Sequence, residues 1–405
     1  MDEKKTDAQS TDGVSQLNIT EKPRVNKAKV FKIVFYTVFF LFCGGALAYT
    51  GYQDLSKDKL LSIADVFLLI GRNWYYLLLA VFSMFCVYLA KAMKKAFMLK
   101  NITGKFRFGL ALKTAIVGVF YDNITPLGSG GQPFEVYYMA KHGVDAGKAT
   151  AVPITSLFFR QITFVALTLA ALIVSPLSTL PATYSLAIIG VIFAFVIPLM
   201  IMLFSLMPKT TSRIVAFFIA LLSKLKIVKN REVALKKSIR LIKNNAETIK
   251  MMSRKPITLI ALIIFGIAEH VANASIVYFT LRTFGYDIPN LGGIYEWFEI
   301  FWISMTLYSA ISFVPTPGNA GMSELTFHAV FTGRLYGGAG FTAMLTWRIL
   351  SYYLFIAVGA IFLSVGTITH ATMKQEATTL KRQNDDEELT DDNAELTETS
   401  PPQQE

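Results

Sequence analysis

Apolar runs long enough to cross a bilayer recur along this chain, roughly at residues 31–50, 72–90, 108–124, 149–173, 184–206, 257–281, 295–314 and 341–366. A hydrocarbon layer ~30 Å thick needs about 20 apolar residues of helix, and a soluble core has no use for so many such runs. With 53% hydrophobic and 13% aromatic residues among 405, the expected fold class is an all-α polytopic membrane protein. Inside a bilayer every backbone polar group must find a partner within the protein, which excludes lipid-exposed loops and makes any interruption of a run informative.

Two such interruptions stand out. Residues 121 to 135 read Tyr-Asp-Asn-Ile-Thr-Pro-Leu-Gly-Ser-Gly-Gly-Gln-Pro-Phe-Glu, and residues 315 to 324 read Pro-Thr-Pro-Gly-Asn-Ala-Gly-Met-Ser-Glu. They align with each other: Thr125-Pro126 with Thr316-Pro317, Gly128 to Gly131 with Gly318 to Gly321, and an acid closing each, Glu135 and Glu324. Irregular backbone at membrane depth is tolerated where it lines a cavity, and paired breaks are what inverted transporter repeats place around a midplane site. Two unrelated Gly/Pro kinks are the alternative.

Charge sets the orientation. The net charge is +11, but residues 375–405 hold Lys381 and Arg382 against ten acids, so residues 1–374 carry +19. Basic clusters occur at Lys22 to Lys32, at Lys91, Lys94, Lys95, Lys100, Lys105 and Arg107, and within 207–255, where thirteen Lys/Arg face only Glu232 and Glu247. By the positive-inside rule all three belong in the cytoplasm. The last is expected to form amphipathic helices along the inner leaflet. Such a basic body points to anionic lipid and away from nucleic acid.

Counting crossings between these landmarks makes 108–148 a re-entrant hairpin opening from the cytoplasm, and 295–333 a second hairpin opening from the other face. The expectation is therefore about six full spans plus two broken hairpins, a candidate inverted repeat. The domain plan is a cytoplasmic tail at 1–30, a transmembrane domain at 31–370 and an acidic tail at 371–405, disordered by composition like the first. Both termini fall in the cytoplasm.

The glycines admit positive φ and close approach, and the prolines end the helices before them. A half-helix starting after Gly131 or Gly321 would aim unpaired N–H groups at an anionic head group. Ionisable residues inside apolar runs are expensive and are the next candidates. Asp122, Arg160, Glu269 and Arg348 are expected in a cavity. Glu324 and His328, four residues apart, share a helix face and suit a proton relay or a mutual hydrogen bond. Lys113, Glu296 and Glu299 are open between the cavity and the membrane interfaces. Cys43 and Cys86 read as small core residues. No metal-ligand set accompanies Glu269-His270, so no metal or other cofactor is expected.

The two breaks together resemble the lysylphosphatidylglycerol synthase transmembrane family, which includes the flippase half of the multiple peptide resistance factor. The resemblance covers about residues 25 to 370. Its motif falls on Asn123, Thr125, Pro126, Gly128, Gly130, Gly131, Gln132, Pro133 and Glu135, then on Pro315, Pro317, Gly318, Gly321 and Glu324. Asn319 departs from the further glycine of many relatives.

That resemblance implies a lipid flippase in a bacterial plasma membrane, moving a phospholipid such as lysylphosphatidylglycerol and contributing to antimicrobial peptide resistance. It implies the membrane half without a synthase domain. The implied partners are phospholipid head groups, together with a separate synthase or a second copy of the chain. Two other classes stay open: a membrane-embedded transferase, for which tRNA would be a partner, and a non-transporting subunit that recruits a synthase.

Overall fold

The computed structural model describes residues 44–45, 48–52, 62–126, 128, 130–174, 181–224, 231–286, 293–331, 335 and 339–365. Most of the first apolar run and both expected tails lie outside these residues. Every named element among them is helical. Five helices are long and apolar enough to cross a membrane: Trp74–Thr103, Ala146–Val174, Thr183–Leu206, Pro256–Thr283 and Gly340–Val365. These match five of the six expected full spans, and the chain is an all-α polytopic membrane protein.

In chain order the helices are α1 (Ile63–Arg72), α2 (Trp74–Thr103), α3 (Phe108–Ile124), α4 (Gly131–Lys141), α5 (Ala146–Val174), α6 (Pro181–Leu206), α7 (Pro208–Lys224), α8 (Arg231–Ser253), α9 (Pro256–Thr283), α10 (Ile294–Ile311), α11 (Met322–Phe331) and α12 (Gly340–Arg348). A π-helical turn, Ile349–Tyr353, continues α12 toward its end at residue 365.

α2 and α9 form the antiparallel spine. At one end Asn73 Nδ2 donates to the Thr283 carbonyl at 3.0 Å, and at the other Asn101 Nδ2 donates to Thr258 Oγ1 at 2.7 Å. Gly104 ends α2 in the left-handed conformation, its N–H closing on the Lys100 carbonyl, as helix C-termini commonly do. Pro256 opens α9 in the first turn, where its missing N–H costs nothing.

This spine locates the two hairpins. The base of the first, α3–α4, is tied by Arg107 Nη2 donating to the His142 carbonyl at 3.0 Å, just beyond the Gly104 end of α2. The base of the second, α10–α11, lies at the other end. There Arg282 Nη1 meets Glu296 Oε2 at 3.0 Å, and Tyr286 packs edge-on against Phe331 with ring centroids 6.3 Å apart. The hairpins therefore open at opposite ends of the bundle, and each chain path returns to the end it left. Their tips meet in the middle, where Pro126 and Pro317 form an isolated antiparallel bridge.

Glu296 is not at an interface with water. It is fully buried against Arg282, whose guanidinium also lies 5.4 Å from the Tyr76 ring centroid. Lys113, by contrast, is exposed, and Glu299 is half-buried.

The basic segment also differs from a pair of helices resting on a leaflet. α8 buries Ile249 and Met252 among Met98, Leu99, Met139 and Leu262, and Asn244 Nδ2 reaches Asp145 Oδ1 at 3.4 Å. Asp145 also accepts from the Lys148 N–H at 3.0 Å, capping α5; that bond, which favours the charged form, holds its carboxyl below the ordinary value. The physical reason is that α8 carries its own apolar stripe, and the bundle end offers a better partner for it than lipid heads. Phe217, Phe218 and Leu221 of α7 remain exposed.

α6 is the lipid-facing flank: Ile188, Ile192, Phe193, Val196 and Ile197 are exposed. Its other face closes on the second hairpin, where Ser309 Oγ donates to the Ala187 carbonyl at 2.7 Å. A Cβ at Gly190 would overlap the Ser309 backbone, the close approach that small residues permit between membrane helices.

Candidate functional site

Glu269 sits halfway along the 28-residue α9, about 20 Å from either end at 1.5 Å per residue. Its side chain is 1% exposed, and three cations converge on it. Lys91 Nζ lies 2.9 Å and Arg160 Nε 3.3 Å from Oε1, while Lys94 Nζ lies 2.6 Å from Oε2. A lone carboxylate there would be untenable, and so would a lone Lys94, whose side chain is also 1% exposed. Arg160 differs, because 42% of its side chain stays open.

What it opens onto is a cavity of ≈ 320 Å³ between α2, α3, α5, α9, α10 and α12, a size suited to a small polar head group. Charged walls come from Lys91, Asp122, Arg160, Glu269 and Arg348, with Asn123, Gly128, Gly318 and Asn319 supplied by the hairpin tips. Tyr308, Trp347, Tyr352 and Phe355 give the aromatic wall. Ser351 and Tyr352 belong to the π-turn, a feature often found where a helix is re-aimed at a site.

Both tips are shaped by the same backbone device. Gly128 and Gly318, paired by the sequence alignment, have φ of 57° and 58°, a region that L side chains enter only at a cost. Asn319, at φ 54°, is the one non-glycine among the described residues with positive φ, and asparagine is among the residues that best tolerate it. The departure from glycine at this position thus preserves the conformation. Thr125 Oγ1 accepts the Gly130 N–H at 2.9 Å, and Thr316 Oγ1 donates to the Ala320 carbonyl at 2.9 Å.

Each helix start already holds a carboxylate on its leading N–H. Asp122 Oδ1 accepts the Gly131 N–H at 2.8 Å, and Glu324 Oε2 accepts the Gly321 N–H at 2.6 Å. The protein supplies its own carboxylates to these helix starts, the ordinary solution for a buried N-terminus. The acids are therefore not equivalent by position. In the second hairpin the closing acid caps its own helix. In the first, Asp122 does so from the preceding helix, which leaves Glu135 for another task.

Glu135 Oε1 pairs with Lys95 Nζ at 3.0 Å. Both are buried away from the cavity, and Glu135 Oε2 has no hydrogen-bond partner among the described residues. Gly118 makes room for it, since a Cβ there would overlap the carboxylate. Glu324 Oε1 takes Arg348 Nε at 2.6 Å, so this carboxylate is committed to an arginine and a cap, not to a relay with the buried His328. Arg348 Nη2 also donates to the Gly318 carbonyl at 3.2 Å, its guanidinium carbon lies 4.7 Å from the Tyr352 ring centroid, and Tyr352 Oη donates to the Asn123 carbonyl at 3.2 Å. One cluster thus pins both tips.

Of the residues expected at the site, Asp122, Asn123, Gly128, Arg160, Glu269, Gly318, Asn319 and Arg348 line the cavity. Thr125, Pro126, Gly130, Gly131, Pro317, Gly321 and Glu324 instead build the tips behind it. Gln132 is half-buried and is not part of the cavity wall. The positive-inside rule puts Lys91, Lys94 and Lys95 in a cytoplasmic basic cluster after the second apolar run, and here the structure differs most. They lie within α2, and their spacing of i, i+3 and i+4 keeps them on one side of the helix. That spacing, directly after an apolar run, was the available signal.

Comparison with known proteins places this architecture. The chain is similar to a UPF0104 membrane protein of Archaeoglobus fulgidus, 22% identical over 311 residues that cover 76% of this chain and 91% of the relative. The family model described as the lysylphosphatidylglycerol synthase TM region matches residues 30–359, and the chain belongs to that family.

Proposed function

We propose that this chain moves the polar head of a membrane phospholipid, bare or aminoacylated, between leaflets through the cavity at the hairpin tips, while the acyl tails stay in the bilayer. The observation that carries this reading is the pairing of a mid-depth, partly exposed Arg160 with two hairpins that open at opposite ends and meet at Pro126 and Pro317. A guanidinium can hold a phosphodiester in place of its water shell. Parting the tips toward one end and then the other would expose the head group to each side in turn. Family membership supports a lipid-related role, and the phospholipid-translocating activity is our reading of the site.

Labelled phospholipid in reconstituted vesicles tests it. Wild-type vesicles are expected to lose label from one leaflet at least about tenfold faster than protein-free vesicles, and Arg160→Ala to remove most of that gain, since a charge-assisted contact is worth ~1.5–3 kcal/mol. Equal rates in all three preparations would reject the proposal.

A further inference from the structure

The charges around the cavity do not balance, and the imbalance selects among head groups. Glu269 is shared by Lys91, Lys94 and Arg160, and Glu324 neutralises Arg348. Asp122 is the remaining acid on the wall, and one of its oxygens is occupied by the Gly131 N–H. Formally four cations face three carboxylates, an excess of one positive charge; Lys95 and Glu135, set apart from the cavity, cancel each other. His270 Nε2 donates to the Arg160 carbonyl at 3.1 Å, so protonation of its other nitrogen would only add to the excess.

The excess is most accessible at Arg160. Arg348 is sealed against Glu324, and of the three cations on Glu269 the Arg160 side chain is the most open, 42% exposed against 19% for Lys91 and 1% for Lys94, while its Nε stays 3.3 Å from the carboxylate. From this we infer that the site takes a phosphodiester lipid whose head group is otherwise uncharged, of the phosphatidylglycerol type, in preference to an aminoacylated lipid of net positive charge. One phosphate cancels the surplus charge, while a lysyl ester adds two ammonium groups to a wall where Glu269 and Glu324 are already engaged and Asp122 has one oxygen taken. Like charges brought together in a dry site oppose binding. The inference rests on the translocase reading for its lipid ligand, but it concerns binding selectivity and is measurable without translocation.

The full chain in detergent would be titrated with phosphatidylglycerol, phosphatidylethanolamine and lysylphosphatidylglycerol, with bound lipid counted by mass spectrometry of the intact complex. Phosphatidylglycerol is expected to bind at least about tenfold more tightly than the lysyl ester. Arg160→Gln should abolish that preference, and Arg160→Lys, which keeps the charge, should retain it. Equal or tighter binding of the lysyl ester, or a preference that survives Arg160→Gln, would overturn the inference. Inorganic phosphate should displace the lipid only at much higher concentration; if it competes as well as the lipid, the ligand is a free anion and the lipid assignment fails. Selective binding without any leaflet exchange would instead remove the translocase reading and leave the selectivity standing.

Discussion

Replacing Glu269 by alanine is expected to destabilise the protein by ~3–5 kcal/mol, the largest effect of any single side-chain truncation at the site. The carboxylate is the common partner of Lys91, Lys94 and Arg160. Lys91 and Arg160 retain access to the cavity and can rehydrate, but Lys94 is 1% exposed and faces the protein interior. Its charge would be stranded in the packed interior between α2 and α9. Removing one member of a buried pair costs far more than removing both, because the stranded charge carries the full desolvation penalty. Denaturant or thermal unfolding in a fixed detergent should therefore show a marked loss for Glu269→Ala and a substantially smaller one for Glu269→Leu combined with Lys94→Met. A single variant as stable as wild type would mean that the cluster does not hold α2 to α9.

A methyl group at Gly318 is the second large perturbation. Alanine there must adopt φ near 58°, at ~1–2 kcal/mol, and its Cβ would overlap the Tyr352 ring. Tyr352 cannot yield independently, since it stacks on Arg348 and donates to the Asn123 carbonyl of the opposite tip. The expected outcome is loss of lipid movement by at least about tenfold, the scale of a misplacement of roughly 1 Å at a working site. Gly128→Ala is the matched control. Its φ is 57°, but the nearest atom to an added Cβ lies 3.9 Å away, so it should show the backbone penalty and keep most of its activity. Equal activities for the two variants would show that tip packing around Tyr352 is irrelevant to transport.

The bundle and its two breaks were legible in the sequence because both follow from the bilayer. Long apolar runs have to be helices, and Thr-Pro and Gly-rich stretches within them have to be turns sheltered by protein. Crossing parity then placed the hairpin bases at opposite ends, as Arg107 with His142 and Arg282 with Glu296 bear out. Long-range partnership was not legible. Lys91, Lys94 and Lys95 looked like a cytoplasmic flank because positive-inside counting weighs a lysine by its distance from an apolar run and not by its partner. Their partners, Glu269 and Glu135, lie 175 residues away in one direction for Lys94 and on the neighbouring hairpin for Lys95. The fate of one helix cap was equally hidden. Nothing local to Gly131 says that Asp122, nine residues upstream, will take its N–H, whereas Glu324, three residues after Gly321, stands at the spacing from which a first-turn acid reaches back to its own helix start; each half-helix that looks like an anion site in sequence already holds a carboxylate in the fold.

If the two tips part to let a head group through, a reversible tether across them must stop it. Bridged antiparallel residues lie about 4.5–5.5 Å apart between Cα atoms, within the span that a disulfide closes. Pro126→Cys with Pro317→Cys, in a chain whose Cys43 and Cys86 are replaced by serine, would be oxidised, reconstituted and assayed for leaflet exchange of labelled phospholipid before and after reduction. Exchange is expected to fall to near the protein-free rate while the tips are cross-linked and to recover on reduction. Exchange that proceeds unchanged through the cross-linked protein would contradict the parting of the tips.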